Sequence, residues 1–296
     1  MFIELNKMLT KICRQRSAML LLVVASLAFS NRLAAQNSGD ARVPAGDAKV
    51  PVTPLRRAHA HNDYLHQRPL IDAIEQGFTS IEADVYLVDG KLLVAHTAAE
   101  LHPERSLGRL YLEPLAKQIE QNQGHVFADH KRQVLTLLVD IKSDALATYL
   151  QLEKELAPYR DWLTRVDDGQ PIIGAVEVVV SGNRPRESML AQRSRVASFD
   201  GRIGDLGTDA ATAFMPLISE RWGSLFQWKG DGEMPAEETR RLVDLVQRTH
   251  REGRRLRFWA TPESAAVWQQ LVEADVDHIN TDDLAGLSRF LRHHEH

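Results

Sequence analysis

The chain has 296 residues, of which 44% are hydrophobic and 26% charged, a globular composition that excludes overall disorder. Its length suits one large domain or two small ones. A net charge of −4 offers no bulk attraction to nucleic acid, so no nucleic-acid partner is expected.

Lys7, Lys11, Arg14 and Arg16 precede an apolar run from Ala18 to Phe29, and a small-residue site, "RLAAQ", follows from Arg32 to Gln36. That order reads as a secretory signal peptide over residues 1–35. The apolar run is about 12 residues, short of the roughly 20 that span a bilayer, so an uncleaved anchor is the weaker alternative. Export to the periplasm or the medium is expected, with membrane contact at most peripheral after cleavage. The single cysteine, Cys13, lies before the apolar run, which argues against lipidation and leaves the mature chain without a disulfide. The first 35 residues hold five of the 36 basic side chains and one of the 40 acidic ones, so cleavage leaves a net charge of −8. Residues 36–54, rich in Gly, Ala, Pro and Asp, read as a flexible linker.

From residue 55 to 296 the pattern alternates short β-branched runs with amphipathic stretches. "LRRAHA" (55–60) is the first strand, and "PLIDAIEQG" (69–77) a helix stopped by Gly77. "TSIEADVYL" (79–87) is a strand that turns at Asp-Gly into "DGKLLVAH" (89–96) as a hairpin arm. A helix at 110–124 is followed by "QVLTLLVDIK" (133–142), whose continuous apolar run suits a parallel strand buried on both faces. A helix at 144–159, a strand at 172–182 and a short helix at 186–193 come next. Strands at 195–202 and 214–221, a helix at 235–253, strand 255–260, helix 262–275, strand 276–280 and helix 284–294 complete the chain. About eight β/α units in one domain predict an α/β fold, a TIM (β/α)8 barrel. A doubly wound open sheet is the alternative, but it expects a glycine-rich turn after strand one, where this chain reads "HAHNDY".

In such a barrel the chemistry sits at the C-terminal ends of the strands, and side chains at i and i+2 share a face. Three polar pairs interrupt apolar strands there: His59 and His61, Glu82 and Asp84, Asp140 and Lys142. Burying such groups is costly unless they are paired or bind a metal. Glu82, Asp84 and Asp140 supply only oxygen, which suits Ca²⁺ or Mg²⁺ better than zinc. Lys142 adds a positive charge, and a metal with a lysine suits an anionic substrate such as a phosphodiester. His61 and His96 can serve as general base and general acid. Structural ion pairing alone would account for any one pair taken singly.

"HNDY", "PLIDAIEQGFTSIEADVYLVDGKLLVAHT", "VDIK" and "RFWATPESAAVWQQLVEADVDHINTDDL" together resemble the glycerophosphodiester phosphodiesterase and phosphatidylinositol-specific phospholipase C-like superfamily. The likeness spans about residues 57 to 292, and its opening and ending resemble the altered-inheritance-of-mitochondria branch. The resemblance implies a TIM barrel, a catalytic pair His61 and His96, metal ligation by Glu82, Asp84 and Asp140, and phosphate contact by Lys142. It implies a phosphoric diester hydrolase acting on a small or lipid-derived phosphodiester, of the glycerophosphodiester or phosphoinositide kind, through a cyclic diester. The chain departs where the glycerophosphodiesterases read His-Arg-Gly: Asn62 offers a neutral amide to the phosphate in place of the arginine. Asp140 stands where Glu is usual.

His59, Asn183 and Trp259 are further pocket-lining candidates, as are Asp200, Glu220 and Trp222. Asp282 and Asp283 are expected to cap the last helix, and "GRRLR" at 253–257 to be solvated. The aromatic stretch 222–235 reads as a loop over the barrel mouth, a lid or lipid-contact element. Two other readings stay open. H-x-H after strand one also opens zinc amidohydrolases, and a barrel that has lost activity would be an exported binding module.

Overall fold

A computed structural model describes residues 52–294. The expected signal peptide, most of the linker, and Glu295 and His296 lie outside the described residues. Val52, at the end of the stretch expected to be linker, already packs against the core.

Eight parallel strands form the barrel: β1 (Leu55–Ala60), β2 (Phe78–Val88), β3 (Leu135–Ile141), β4 (Val176–Gly182), β5 (Ser198–Gly201), β6 (Leu217–Arg221), β7 (Arg255–Trp259) and β8 (His278–Thr281). They pair in chain order, and β1 closes the ring by pairing with both β2 and β8. Eight parallel strands with helices outside are a TIM barrel, so the open-sheet alternative does not hold. Most of the core lies on the outer face of the strands, beneath the helices. Inside the barrel, Leu138, Val179 and Leu217 form a separate apolar layer. Below it Arg255 bonds Thr136 and Glu177; above it the inward side chains are polar. Successive strand residues face opposite sides, so one register fixes which groups meet at the mouth. Asp84 stands beside Asp140, and Asp140 beside Ser181.

The helices follow the sequence pattern with shifted bounds. α1 (Ile71–Glu75) is short and ends at Gly77, whose φ of +93° and close approach to the Thr53 carbonyl leave no room for a Cβ. A single wide turn (Gly108–Leu112) leads into α2 (Glu113–Gln121). Asp144 caps α3 (Ala145–Leu156) by accepting from the Ala147 N–H. α4 (Arg186–Leu190), a one-turn α5 (Trp222–Leu225), α6 (Ala236–Arg251), α7 (Ala265–Glu273) and α8 (Leu284–His294) follow. The strand expected at 172–182 starts only at Val176, because Gln170–Ile172 pairs antiparallel with Arg165–Asp167 in a separate small hairpin.

Two expectations are corrected. The 222–235 stretch is not a lipid-facing cover. Trp222 and Phe226 are buried and pack edge-on against Phe258, on the outward side of β7, while the Trp222 and Trp228 indoles donate to backbone carbonyls. "GRRLR" is not solvated. Arg254 is buried and donates to the Met215 and Ala210 carbonyls, and Arg257 is buried inside the barrel.

Candidate active site

The β1–α1 loop, "HNDYL", runs along the C-terminal rim. Asn62 adopts a left-handed conformation (φ 46°, ψ 35°), which Asn tolerates better than most residues. Asp63 anchors the loop from beneath by accepting from the Leu70 N–H at 2.6 Å and the Tyr111 hydroxyl at 3.0 Å. Burial pushes the Asp63 carboxyl up to about 7.

β2 supplies Glu82 and Asp84, then continues past the barrel and reverses at Asp89 and Gly90, both with positive φ. The returning arm, Lys91–Val94, pairs with β2, and the Ala95 N–H bonds the Asp84 carbonyl. This hairpin carries His96 back over Asp84. β3 adds Asp140 and, one step beyond its end, Lys142.

The result is a compact charged cluster. One oxygen from each of Glu82, Asp84 and Asp140 lies within 4.8 Å of the others. Lys142 Nζ is 3.1 Å from Asp84 Oδ2 and 3.4 Å from Asp140 Oδ2. Burial lowers the Lys142 pKa, but the two carboxylates outweigh it, and the net shift is upward. Burial, with the neighbouring acids, raises Asp84 and takes Asp140 up to about 6. Glu82 goes the other way, because the Arg257 guanidinium and His59 outweigh burial. The Oδ1 atoms of Asp84 and Asp140 are buried without a hydrogen-bond partner. Orphaned carboxylate oxygens in an acidic triad of this kind fit a hard divalent cation.

Each rim histidine meets a carboxylate through Nδ1. His96 Nδ1 is 3.2 Å from Asp84 Oδ2, and His61 Nδ1 is 2.8 Å from Asp282 Oδ1. Burial depresses His61, but the Asp282 hydrogen bond, with Glu82 and Asp282 charge, raises it above the ordinary imidazole value. Asp282 therefore does not cap α8 as expected; Asp283 does, accepting from the Gly286 N–H. Asn62 lies between these groups, its amide against His61, Asp282 and the Tyr64 hydroxyl.

His59 sits one layer deeper, fully buried, with Nδ1 on Ser80 Oγ at 2.7 Å and Nε2 on Glu82 Oε2 at 3.1 Å. Burial and Arg257 push it down to about 3, so it stays neutral. Both nitrogens are occupied, and no zinc pair with His61 forms. Asn183 is exposed and donates to the Ser143 carbonyl at 2.9 Å. Trp259 stands at the rim, 36% exposed, beneath the Arg221 guanidinium. Asp200 is buried in a closed network with Ser181, Ser219 and Arg202.

The residues missed by sequence reasoning are Tyr64, Asp63, Asp282 and Arg257. Arg257 bonds Glu82 Oε2 and donates to Asn280 Oδ1 at 3.0 Å. Its inward position was signalled by alternation with Arg255 on β7.

A model of the AIM6-like phosphodiesterase domain matches residues 47–200, and one of the glycerophosphoryl diester phosphodiesterase family matches residues 255–285. Altered inheritance of mitochondria protein 6 of Eremothecium gossypii is 32% identical over 81% of this chain and 70% of its own length. A homologue of that protein from Arthroderma benhamiae is 28% identical over 76% of this chain and 81% of its own. The names of these relatives state no reaction. The crystal structure of a glycerophosphodiester phosphodiesterase from Parabacteroides distasonis aligns over 83% of this chain and 98% of its own, at 14% identity and a TM-score of 0.46.

Proposed function

The chain belongs to the family of AIM6-like phosphodiesterase domains, and from that premise we propose that it is a divalent-metal-dependent phosphoric diester hydrolase. Its substrate is a glycerophosphodiester or phosphoinositide-like molecule, small or lipid-derived. The observation that carries this reading is the pairing of each rim histidine with a carboxylate through Nδ1, around one acidic triad.

A carboxylate on Nδ1 fixes the proton there and leaves Nε2 for chemistry. His96 Nε2 takes the proton from a substrate hydroxyl next to the phosphorus, and the oxygen attacks in line. His61, held toward its cationic form by Asp282, gives its proton to the leaving alcohol as the P–O bond breaks. The products are the free alcohol and a cyclic phosphodiester, with the proton now on His96 and missing from His61. Water opens the ring by the same transfers in reverse. Glu82, Asp84 and Asp140 would hold the divalent ion, Ca²⁺ or Mg²⁺, which supplies Lewis-acid stabilisation of the phosphate oxygens. Lys142, already against Asp84 and Asp140, presents its ammonium to the same oxygens.

The test is hydrolysis of a chromogenic phosphodiester with Ca²⁺ or Mg²⁺. His61→Ala and His96→Ala should each lose about 10²-fold or more, the usual weight of general acid–base catalysis. Full activity in either variant overturns the assignment. Export is a separate part of the proposal, resting on residues 1–35; cell fractionation that leaves the full-length chain in the cytoplasm overturns it.

A further inference from the structure

Six side chains at the rim, His61, Asn62, Tyr64, Asp84, His96 and Asp282, share one proton inventory. The Tyr64 hydroxyl has one proton, yet it faces Asn62 Oδ1 at 2.7 Å and Asp84 Oδ2 at 2.8 Å, both acceptors. Asn62 Nδ2, a donor only, faces His61 Nδ1 at 2.9 Å. That nitrogen must itself carry a proton, because its other neighbour, Asp282 Oδ1 at 2.8 Å, only accepts. Asp84 Oδ2 also faces Lys142 Nζ at 3.1 Å and His96 Nδ1 at 3.2 Å, and Asn62 Nδ2 also lies 3.4 Å from Asp282 Oδ1, so the fault is a single one: two donors, Asn62 Nδ2 and His61 Nδ1, point at each other.

Turning the Asn62 amide over about its terminal bond removes this fault, since its oxygen and nitrogen are nearly the same size and are told apart by their partners. The amide nitrogen then donates to Tyr64 Oη, and the amide oxygen accepts from His61 Nδ1, shared with Asp282. Tyr64 gives its proton to Asp84. His96 Nδ1, 3.1 Å from Tyr64 Oη and 3.2 Å from Asp84 Oδ2, donates to that pair. The donor–donor contact is gone, and the amide oxygen takes the His61 proton in exchange for the longer 3.4 Å contact of the amide with Asp282.

We propose that Asn62 and Tyr64 are positioning residues: they form a neutral hydrogen-bond bridge from Asp282 and His61 to Asp84 and His96. The bridge fixes the proton of both histidines on Nδ1 and couples the two rings; only its catalytic consequence rests on the phosphodiesterase reading above. The bridge also holds Asp84 by Oδ2, together with Lys142 at 3.1 Å, and leaves Oδ1 without a partner. It gives Asn62 a task other than phosphate contact. The left-handed backbone at Asn62 places a short amide between His61 and Tyr64, where a long side chain would not fit the same role.

Nitrogen-15 NMR of the imidazole rings in metal-free protein, at about pH 9 and so above the ordinary imidazole range near 6.5, reads the bridge directly. Both His61 and His96 should be Nδ1–H tautomers. In Tyr64→Phe, which keeps the buried ring, the His61 signals should move although Tyr64 does not touch His61. Asn62→Asp keeps an acceptor for His61 but loses the donor to Tyr64, so His96 should shift while His61 stays Nδ1–H. If the amide oxygen truly faced Tyr64, Asn62→Asp would leave His96 unmoved, and the proposal falls. In turnover, Tyr64→Phe should lower kcat about 10–100-fold with KM held, as loss of an orienting partner does. The double variant should be no worse than the more impaired single variant, because a broken bridge cannot be broken twice. Unmoved His61 signals in Tyr64→Phe, or effects that multiply, overturn the bridge. A protein that hydrolyses no phosphodiester would sink the proposed reaction and leave the NMR arms to judge the bridge alone.

Discussion

Asp63→Asn isolates the cost of a buried carboxylate beneath the rim loop. Asp63 is fully buried; Oδ2 accepts from the Leu70 N–H and the Tyr111 hydroxyl, while Oδ1 has no partner. Burial raises its pKa from 3.8 to about 7. The folded state therefore keeps a proton that the unfolded chain releases, and between these two values stability falls as pH rises. Below about pH 4 both states hold the proton and nothing is lost. A shift of about 3 units corresponds to a ceiling of about 4 kcal/mol, in full force only above about pH 8. Asparagine keeps the shape and the acceptor but cannot ionise. Urea unfolding should find wild type and Asp63→Asn about equally stable at about pH 4. At about pH 8 the variant should be the more stable, by up to about 4 kcal/mol, the ceiling reduced because its Nδ2 inherits the unpartnered position. A gap between the two proteins that is constant with pH refutes the buried-charge reasoning.

Asp282→Asn removes the carboxylate that raises His61, so the protonated form is lost at lower pH, and the alkaline limb of the kcat profile should move downward; an unmoved limb means His61 is not the acid. At Gly182, φ is +67° and an added Cβ would collide with Asp140 Oδ1, so Gly182→Ala should weaken Ca²⁺ or Mg²⁺ binding in calorimetry; wild-type affinity would show that Asp140 is not a ligand. Arg257→Met leaves Glu82 charged and buried without its guanidinium, and should cost about 3–5 kcal/mol in denaturant unfolding, as breaking a buried pair does. Lys142→Met should lower the melting temperature of metal-free protein, with the deficit shrinking as divalent ion is added; a deficit that metal does not touch would separate Lys142 from the ion site.

The barrel and its acidic cluster were legible because their signals are local. Glu82 with Asp84, and Asp140 with Lys142, stand two apart on or just past largely apolar strands, and the Asp89-Gly90 turn announces the hairpin that returns His96. What stayed hidden depends on contacts far apart in sequence. His61 meets Asp282 across 221 positions, and Glu82 meets Arg257 across 175, because β1 closes against both β2 and β8. Arg257 also sits in a basic run, where solvation is the default for an arginine. Tyr64 read as part of a motif whose chemistry seemed complete in its histidine. Only the left-handed turn at Asn62 brings its hydroxyl to Asp84.

The same cluster explains why so acidic a site keeps two cations. Ionised carboxylates whose nearest oxygens lie within 4.8 Å of one another repel by about 3–4 kcal/mol per pair at an effective dielectric near 20. Three such pairs approach the whole stability of a domain, about 5–15 kcal/mol. Lys142 and Arg257 offset that repulsion, and each takes only one edge of its partners: Lys142 the Oδ2 edges of Asp84 and Asp140, Arg257 the Oε2 edge of Glu82. Three carboxylates against these two cations leave one surplus negative charge, and the buried Oδ1 atoms of Asp84 and Asp140 are the oxygens that no hydrogen bond offsets. On the proposed reading a divalent ion there would change the balance to one positive charge, and a phosphodiester monoanion would bring it to zero. The two cations thus offset most of the repulsion within the triad while leaving the cluster one charge short of neutral, which is the balance the proposed ion and anionic substrate would complete.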